Sequence, residues 1–346
     1  MAYAYVYDYK REGFYFNLFL GGRGCGKTYG ALLGAYDDYL THGKKFYFLR
    51  RTDEERKLAE LFNPFSKINQ DHNTHVLTAP IGKKVTGFYI GEIGDEGDWV
   101  PGGEPIGYML SLSTMGSVRG LGLDDGKVDK LIYDEFIPEP HVRLLKMEGD
   151  AFFNAYETLN RNRELEGKDP IYCYLLANAN KIDNPIFKSM GLVSRAERMV
   201  RRKEKDLWIP ERGLALHFLQ DAEFTRDKKK GVLARLTEGS DYATMAYDND
   251  FAYNDFTSIR RLDLKGMTPW IAVGDAHVWR QKGGPKFYAS YHDGSFAYRY
   301  AADSQPDKML AKGRHAGTFR RAYAEGLITF ESFELKSRLL DFFDVK

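Results

Sequence analysis

Residues 18–28 of the chain read LFLGGRGCGKT. Gly21 and the triplet Gly26-Lys27-Thr28 fit the spacing G-x-x-x-x-G-K-[ST], which is typical of a phosphate-binding loop. An apolar run over residues 14–20 predicts a strand before the loop, and residues 27–40 predict a helix after it. The glycines let the backbone turn its N–H groups toward phosphate oxygens at the positive end of that helix.

This loop predicts a nucleoside triphosphate site. We expect Lys27 to neutralise the β- and γ-phosphates and the Thr28 hydroxyl to bind Mg²⁺. A glycine-rich turn without a ligand is the structural alternative, but the strand before it and the helix after it favour the nucleotide. The candidate nucleotide-binding residues are Gly21, Gly22, Arg23, Gly24, Cys25, Gly26, Lys27 and Thr28.

Composition limits the classes of protein that fit. The chain has 346 residues, enough for two domains, and is 43% hydrophobic and 29% charged, which is ordinary for a globular protein. A formal net charge of +1 means that any nucleic-acid binding must come from local patches. The two cysteines indicate neither a disulfide framework nor a zinc site, and we expect a reducing cytosol. No apolar run approaches the length of a membrane span, and the first residues do not resemble a signal peptide, so we expect no membrane partner.

Alternating strands and helices in the first half predict an α/β fold with a mainly parallel sheet. The site should lie at the carboxyl ends of its strands. The predicted helices cover 53–62 and 148–160, and the predicted strands cover 45–50, 106–112, 130–134 and 171–177, with a hairpin over 76–93.

Three segments are predicted along the chain. Residues 1–194 form a phosphate-loop ATPase domain, and the charged residues 195–255 form a linker or small helical segment. Residues 256–346 form a smaller α+β domain with short strands and a helix over 317–325.

Two acids follow the predicted strand 130–134, in the run LIYDE at 131–135. We expect this strand to lie beside the strand of the loop, with Asp134 serving Mg²⁺ and Glu135 acting as the catalytic base. Two surface acids that cap a strand are the alternative. A Glu directly after the Asp favours an ATPase of the additional-strand type over a GTPase, which usually orients water with Gln.

Other polar residues are candidates for catalysis. Arg161 ends a predicted helix and could act on the γ-phosphate of a neighbouring subunit, or only complement the helix dipole. Arg119 lies in a glycine-rich stretch, and Asn178 ends a strong strand, where it could sense the γ-phosphate. We expect Arg23 to contact phosphate or Glu135 rather than solvent.

Together these residues resemble the genome-packaging ATPases of small tailed phages that replicate with a terminal protein. The resemblance covers about residues 14–190 and is weak beyond about 200. It is carried by FLGGRGCGKTY (19–29), YFLRR (47–51), IYDEFI (132–137), NRNRE (160–164) and ANA (177–179).

The resemblance implies a ring motor, pentameric in the family, at the portal vertex of an empty capsid in the host cytoplasm. It pulls double-stranded DNA inward using ATP and Mg²⁺, and in some relatives a structural RNA bridges ring and capsid. Lys27 and Thr28 then bind nucleotide and metal, and Asp134 and Glu135 keep the roles given above. Arg161 becomes a finger acting in trans, and Arg119 corresponds to a second basic residue reaching the neighbouring site. Asn178 is the remaining catalytic candidate.

The resemblance also implies a C-terminal ribonuclease-H-like domain that has lost its acids. Asp275 and Asp293 lie near predicted strands, but no set of three or four metal-binding carboxylates is visible, so we expect no nuclease activity. Lys83-Lys84 and the segment 201–203 are candidate DNA contacts or ordinary exposed faces. A nucleotide-dependent switch or scaffold, a terminase with an active nuclease and a small-molecule kinase stay open as alternatives.

Overall fold

The computed structural model describes residues 5–118, 126–139, 141–219, 229–240, 243 and 254–345. The chain forms two compact units, of which the first comprises Met1–Met190 and Met199–Tyr253, and the second Gly191–Arg198 and Asn254–Lys346. Among the described residues, no helix combines the length and the apolar character that crossing a membrane requires.

The first unit is built on a large, mainly parallel sheet. Its strands are β1 (Phe16–Gly21), β2 (Lys45–Arg50), β3 (Val76–Gly82), β4 (Val85–Ile93), β5 (Trp99–Ser111), β6 (Val128–Asp134), β7 (Tyr172–Asn178), β8 (Asp206–Ile209) and β9 (Leu214–Leu219). Within the described ranges the strand order is β3-β4-β5-β2-β6-β7-β1-β9-β8. The central strands β5, β2, β6, β7, β1 and β9 run parallel to one another. At one edge of the sheet β4 pairs antiparallel with β3 and β5, and at the other edge β8 pairs antiparallel with β9.

Helices follow the strands in the order that the sequence predicted. The helices of the first unit include α1 (Lys27–His42), α2 (Asp53–Phe62), α3 (Ser66–His72), α4 (Met115–Val118), α5 (Glu148–Asn160), α6 (Pro185–Ser189) and α8 (Val232–Leu236), and α7 (Val193–Arg202) spans the limit between the units. The central strands are almost wholly buried, because helices that cover both faces of a parallel sheet favour continuous apolar runs.

One expected strand neighbour is wrong. The strand of the two acids, β6, does not lie beside the loop strand β1, because β7 pairs in parallel with both of them. The inserted strand ends at Asn178, so the side chain of Asn178 lies between the loop and the acids along the sheet edge. An additional strand between loop and acids is the arrangement that the name of the predicted ATPase type describes.

The structure also corrects the interpretation of residues 195–255 as a linker. Strand β9 pairs with β1 in parallel, with Gly21 opposite Leu219, and β8 pairs with β9. Residues 206–219 are therefore part of the first sheet. β9 is a short apolar run, LALHFL, interrupted by one polar residue, the buried His217.

The second unit is α+β, as predicted. Its strands are β10 (Met267–Val273), β11 (Ala276–Gln281), β12 (Phe287–Ser290), β13 (Arg299–Tyr300) and β14 (Ile328–Phe330), and its helices include α9 (Gln305–Ala324) and α10 (Phe333–Phe342). The order is β13-β10-β11-β12-β14 among the described residues. The start of α7 belongs to this unit, where Glu197 accepts a hydrogen bond from the backbone N–H of Phe333 at 3.1 Å.

Candidate nucleotide site

The loop between β1 and α1 has the conformation that its glycines allow. Gly24 and Gly26 have φ values of 78° and 87°, in the left-handed region that favours glycine. A Cβ on Gly21 would lie 3.0 Å from the sulfur of Cys25, so this position is crowded as well. Helix α1 begins directly at Lys27, which presents free N–H groups and the positive end of the helix dipole beside the loop.

Lys27 lies folded into the loop and is only 7% exposed. Its ammonium donates to the carbonyl oxygens of Gly21 and Gly22, both at 3.0 Å, and to Oδ1 of Asn178 at 3.3 Å. These neutral acceptors hold the cation in place without cancelling its charge. The ammonium is therefore available to an anion that enters the loop.

Thr28 and Asp134 meet across the sheet edge. The Thr28 hydroxyl donates to Oδ1 of Asp134 at 2.8 Å. Burial raises the pKa of Asp134, and the nearby Arg50 opposes this shift by favouring the carboxylate. A buried carboxylate beside a hydroxyl suits Mg²⁺, which is commonly held by one or two carboxylates together with the phosphates of its substrate. The residues present therefore fit the predicted metal.

Glu135 directly follows the end of β6 and has an unusual backbone. Its φ of 53° lies in the left-handed region, which non-glycine residues rarely adopt. The side chain is 57% exposed, in contrast to 8% for Asp134. The sharp turn directs two successive acids to different environments, one buried and one facing solvent.

Sequence reasoning missed a role for Arg50, which ends β2. Its guanidinium donates to Oδ2 of Asp134 at 2.8 Å and to Oε2 of Glu135 at 2.6 Å. Burial alone would lower the pKa of Arg50, but the carboxylates of Asp134 and Glu135 raise it instead. The available signal was an arginine at the carboxyl end of a predicted buried strand, where a parallel sheet places its functional residues.

These groups line one cleft of about 480 Å³. The loop, Asp134, Glu135 and Asn178 form part of its walls, and Pro64 and Lys67 from the α2–α3 region form another part. Pro64 and Lys67 are further residues that the sequence did not single out. The cleft therefore brings together the predicted phosphate, metal and base residues of one chain.

Arg23 takes a partner that we did not expect. Its guanidinium contacts Oε1 of Glu139 at 2.5 Å. Glu139 lies just beyond Asp134 and Glu135 along the chain, and the sequence did not single it out. Arg23 still lines the cleft, within the loop that would surround phosphate.

The arginines predicted to act between subunits differ in their surroundings. Arg161 caps the C-terminal end of α5 with a φ of 51°, and its side chain is exposed. The neighbouring Arg163 donates to the carbonyl oxygens of Val128 and Asp169, at 2.8 and 2.9 Å. Arg163 is thus tied into its own fold, whereas the guanidinium of Arg161 has no hydrogen-bond or ion-pair partner among the described residues. Arg119 lies outside the described residues.

The acids of the second unit are engaged in ion pairs. Asp275 pairs with Arg338, and Asp293 contacts Arg299 at 2.7 Å. Over the part of the chain that the structure describes, no group of three or more His, Cys, Asp or Glu side chains could hold a metal ion.

Comparison with known proteins identifies the family. The family described as podovirus DNA encapsidation protein (Gp16) matches residues 7–266. The chain belongs to this family. The family description and the printed name of its phi29 relative both state DNA packaging, and this chain is accordingly a phage DNA packaging protein.

Individual relatives agree with this assignment. The chain is 26% identical over 339 residues to the DNA packaging protein of Bacillus phage phi29, covering 94% of this chain and 92% of that protein. It is 25% identical over 267 residues to the DNA packaging protein of Bacillus phage PZA, covering 77% of this chain and 64% of that protein. A solved chain of the bacteriophage phi29 genome packaging motor assembly matches with a TM-score of 0.66, 20% identity and coverage of 98% and 97%. This structural likeness supports the fold.

Proposed function

We propose that the chain is the ATP-hydrolysing subunit of a motor that moves double-stranded DNA into a preformed capsid. One observation carries this proposal: the loop with Lys27 and Thr28, the acids Asp134 and Glu135, and Asn178 meet in a single cleft at the carboxyl ends of parallel strands. Phosphate-loop ATPases of the additional-strand type need these groups in this order across the sheet.

Each residue of the cleft receives a role from its surroundings. Lys27 and the loop N–H groups bind the β- and γ-phosphates, while Thr28 and Asp134 hold Mg²⁺, which neutralises charge on the phosphates. Glu135, turned toward solvent, accepts the proton of the attacking water. Asn178 already contacts Lys27 and lies where a change at the γ-phosphate would alter its hydrogen bonds.

The proposed motor is a homo-oligomeric ring, taken to be a pentamer from the family resemblance, with hydrolysis at the seams between subunits. Arg161 supports this arrangement because it is exposed and has no partner within the described part of its own chain. A cation of this kind could complete the site of the next subunit and stabilise charge on the transferred phosphoryl group. Arg119 is proposed as a second basic residue acting in trans.

Duplex DNA is the proposed transported partner, and contacts to its phosphates would allow any sequence to pass. Lys83 and Lys84, at the exposed β3–β4 turn, are candidate contacts, although Lys84 also donates to Ser117 at 2.9 Å. The basic end of α7 at residues 201–203 is a second candidate. The capsid portal vertex and, in some relatives, a structural RNA are further proposed partners in the host cytoplasm.

We propose domain limits at about residues 194 and 256 for the ATPase and the C-terminal domain, with residues 206–219 reassigned to the ATPase sheet. The C-terminal domain is proposed to be ribonuclease-H-like and without nuclease activity. Its acids Asp275 and Asp293 pair with arginines instead of facing each other across a metal site. Cleavage of plasmid DNA with Mn²⁺ that is abolished by Asp275→Asn would favour a terminase with an active nuclease.

The test of the main proposal is ATP turnover by the full chain with and without duplex DNA of random sequence. We expect DNA to stimulate turnover and salt to weaken this stimulation steeply, since phosphate contacts release counterions. Lys27→Ala should abolish nucleotide binding. The control Lys57→Ala, which removes an exposed lysine paired with Asp53, should change neither property.

Two results would count against the motor. Turnover that ignores both DNA and salt would contradict translocation. Tight ATP binding with negligible turnover, even in the assembled ring with DNA, would favour the nucleotide-dependent switch or scaffold.

A further inference from the structure

Arg50 lies between the two acids that the proposed mechanism uses for different purposes. One nitrogen of its guanidinium donates to Oδ2 of Asp134 at 2.8 Å, and another donates to Oε2 of Glu135 at 2.6 Å. The arginine side chain is only 14% exposed, so the contact with buried Asp134 is poorly screened by water. Both carboxylates thus share one cation of the same chain, which offsets one of their two negative charges.

This contact conflicts with metal binding at Asp134. Oδ1 of Asp134 already accepts the Thr28 hydroxyl, and Oδ2 accepts Arg50. A divalent cation and a guanidinium repel each other at such short range, particularly where water is excluded. Release of Oδ2 by Arg50 would remove this repulsion and leave that oxygen of Asp134 open to Mg²⁺.

The contact with Glu135 has the opposite consequence. Glu135 is 57% exposed, and its side chain would sample several rotamers without a partner. The hydrogen bond from Arg50 restricts the carboxylate to one direction. A general base benefits from such restriction because small displacements reduce catalysis strongly.

A third carboxylate offers Arg50 a place to move. Nε of Arg50 is buried and has no hydrogen bond to any residue that the structure describes, and Oε2 of Glu55 lies 4.0 Å away from it. Glu55 is itself fixed in the capping box at the start of α2, where its backbone N–H donates to the Thr52 hydroxyl and its Oε2 accepts the backbone N–H of Thr52, as well as that of Arg51. A small rotation would exchange the contact with Asp134 for one with Glu55.

We propose that Arg50 is a displaceable positioning residue, which occupies Asp134 until Mg²⁺ binds, then shifts toward Glu55 while it keeps Glu135 oriented. This inference rests on the proposed function, because it needs Asp134 as the metal ligand and Glu135 as the base. It assigns Arg50 a regulatory task that neither a phosphate contact nor a simple structural ion pair would have.

The test measures binding and turnover separately in the full chain. Binding of a fluorescent ATP analogue is titrated with Mg²⁺, and steady-state turnover is measured at saturating Mg²⁺ and ATP. Arg50→Ala should lower the half-saturating Mg²⁺ concentration about threefold to tenfold, because a competing cation is gone. The same variant should lower turnover about tenfold or more, because Glu135 loses its partner.

Two conservative variants sharpen the test. Arg50→Lys keeps a charge but cannot bridge two carboxylates with a planar fork, so its turnover should fall between those of the wild type and Arg50→Ala. Glu55→Gln preserves the capping box but removes the receiving charge. It should raise the half-saturating Mg²⁺ concentration about threefold, opposite in direction to Arg50→Ala.

Arg56 provides a matched control. It is 2% exposed and also bridges two carboxylates, Asp53 at 2.8 Å and Glu60 at 2.9 Å, but these carboxylates, unlike Asp134 and Glu135, do not line the cleft. Arg56→Ala should lower the melting temperature without changing the Mg²⁺ requirement or turnover per folded subunit.

The outcomes separate this inference from the proposed function. If the wild type binds no nucleotide with Mg²⁺ and equals Lys27→Ala, the proposed function fails. If the wild type binds and turns over ATP, but Arg50→Ala raises the Mg²⁺ requirement or leaves both quantities unchanged, the displaceable arginine is refuted.

Discussion

Mixing two inactive variants tests whether the site is completed by a neighbouring subunit. Glu135→Gln removes the proposed base, and Arg161→Ala removes the proposed trans finger. Loss of a general base costs about 10²–10⁴ in rate, and loss of an arginine finger about 10³–10⁵. Each variant alone should therefore be close to inactive, although it still binds nucleotide.

The expected recovery follows from the geometry of a seam. A seam works only if one subunit contributes an intact Glu135 and the next contributes an intact Arg161. In a ring that draws equally from both variants, each condition is met with a probability of about one half, so about one quarter of the seams are complete. Turnover should then rise to about a quarter of the wild-type value per subunit, far above either parent.

The assay is steady-state phosphate release after subunits are mixed at equal concentrations in the presence of duplex DNA. The control mixes Arg161→Ala with the double variant Glu135→Gln/Arg161→Ala, which offers no intact finger and should recover nothing. Arg163→Ala serves as a second control because Arg163 bonds to its own fold. A mixture whose turnover equals the mean of its two parents would refute hydrolysis at the seams.

Three further predictions follow from buried groups. In the structure, Nε of Arg51 lies 2.6 Å from Oε1 of the buried Glu148. Arg51→Met removes this cation and should lower the free energy of unfolding of the first unit, measured in urea, by about 3–5 kcal/mol. Burial raises the pKa of Asp134, so the protonated form, which cannot bind metal, is favoured as pH falls. As the pH falls, Mg²⁺-dependent nucleotide binding should therefore be lost at a higher pH than if Asp134 had the ordinary pKa of an Asp, about 3.9. A titration of nucleotide binding against pH tests this. Burial also raises the pKa of the Cys173 thiol, so alkylation followed by mass spectrometry should modify Cys173 only after unfolding.

The parts of the fold that the sequence predicted are those with local signals. The predicted helix over 148–160 has the same limits in the structure, and the apolar runs around 130–134 and 171–177 are β6 and β7. The loop itself follows from glycine spacing and its flanks. These features depend on residues close together in the chain, which is why periodicity and motif spacing could identify them.

The parts that were missed depend on contacts between distant residues. In the sheet, β7 lies between β1 and β6, and β9 lies beside β1. Neither arrangement has a local sequence signal. Helix α9 begins at Gln305 rather than near residue 317, because its first turns carry polar residues that conceal the helical period. The partners of Arg50 lie 84 and 85 residues away, so only the assembled sheet edge brings them together.

Arg50 ends β2, and Arg51 directly follows it. Together these arginines connect the cleft to α5, the helix that precedes the proposed finger Arg161. Arg50 contacts the acids of the cleft, while the adjacent Arg51 pairs with Glu148 at the first turn of α5. Arg161 directly follows the last residue of the same helix. Because Arg51 and Glu148 are both fully buried, the start of α5 is held rigidly to the end of β2. The acids of the cleft and the first turn of α5 are thus both joined to the end of β2, through the adjacent side chains of Arg50 and Arg51.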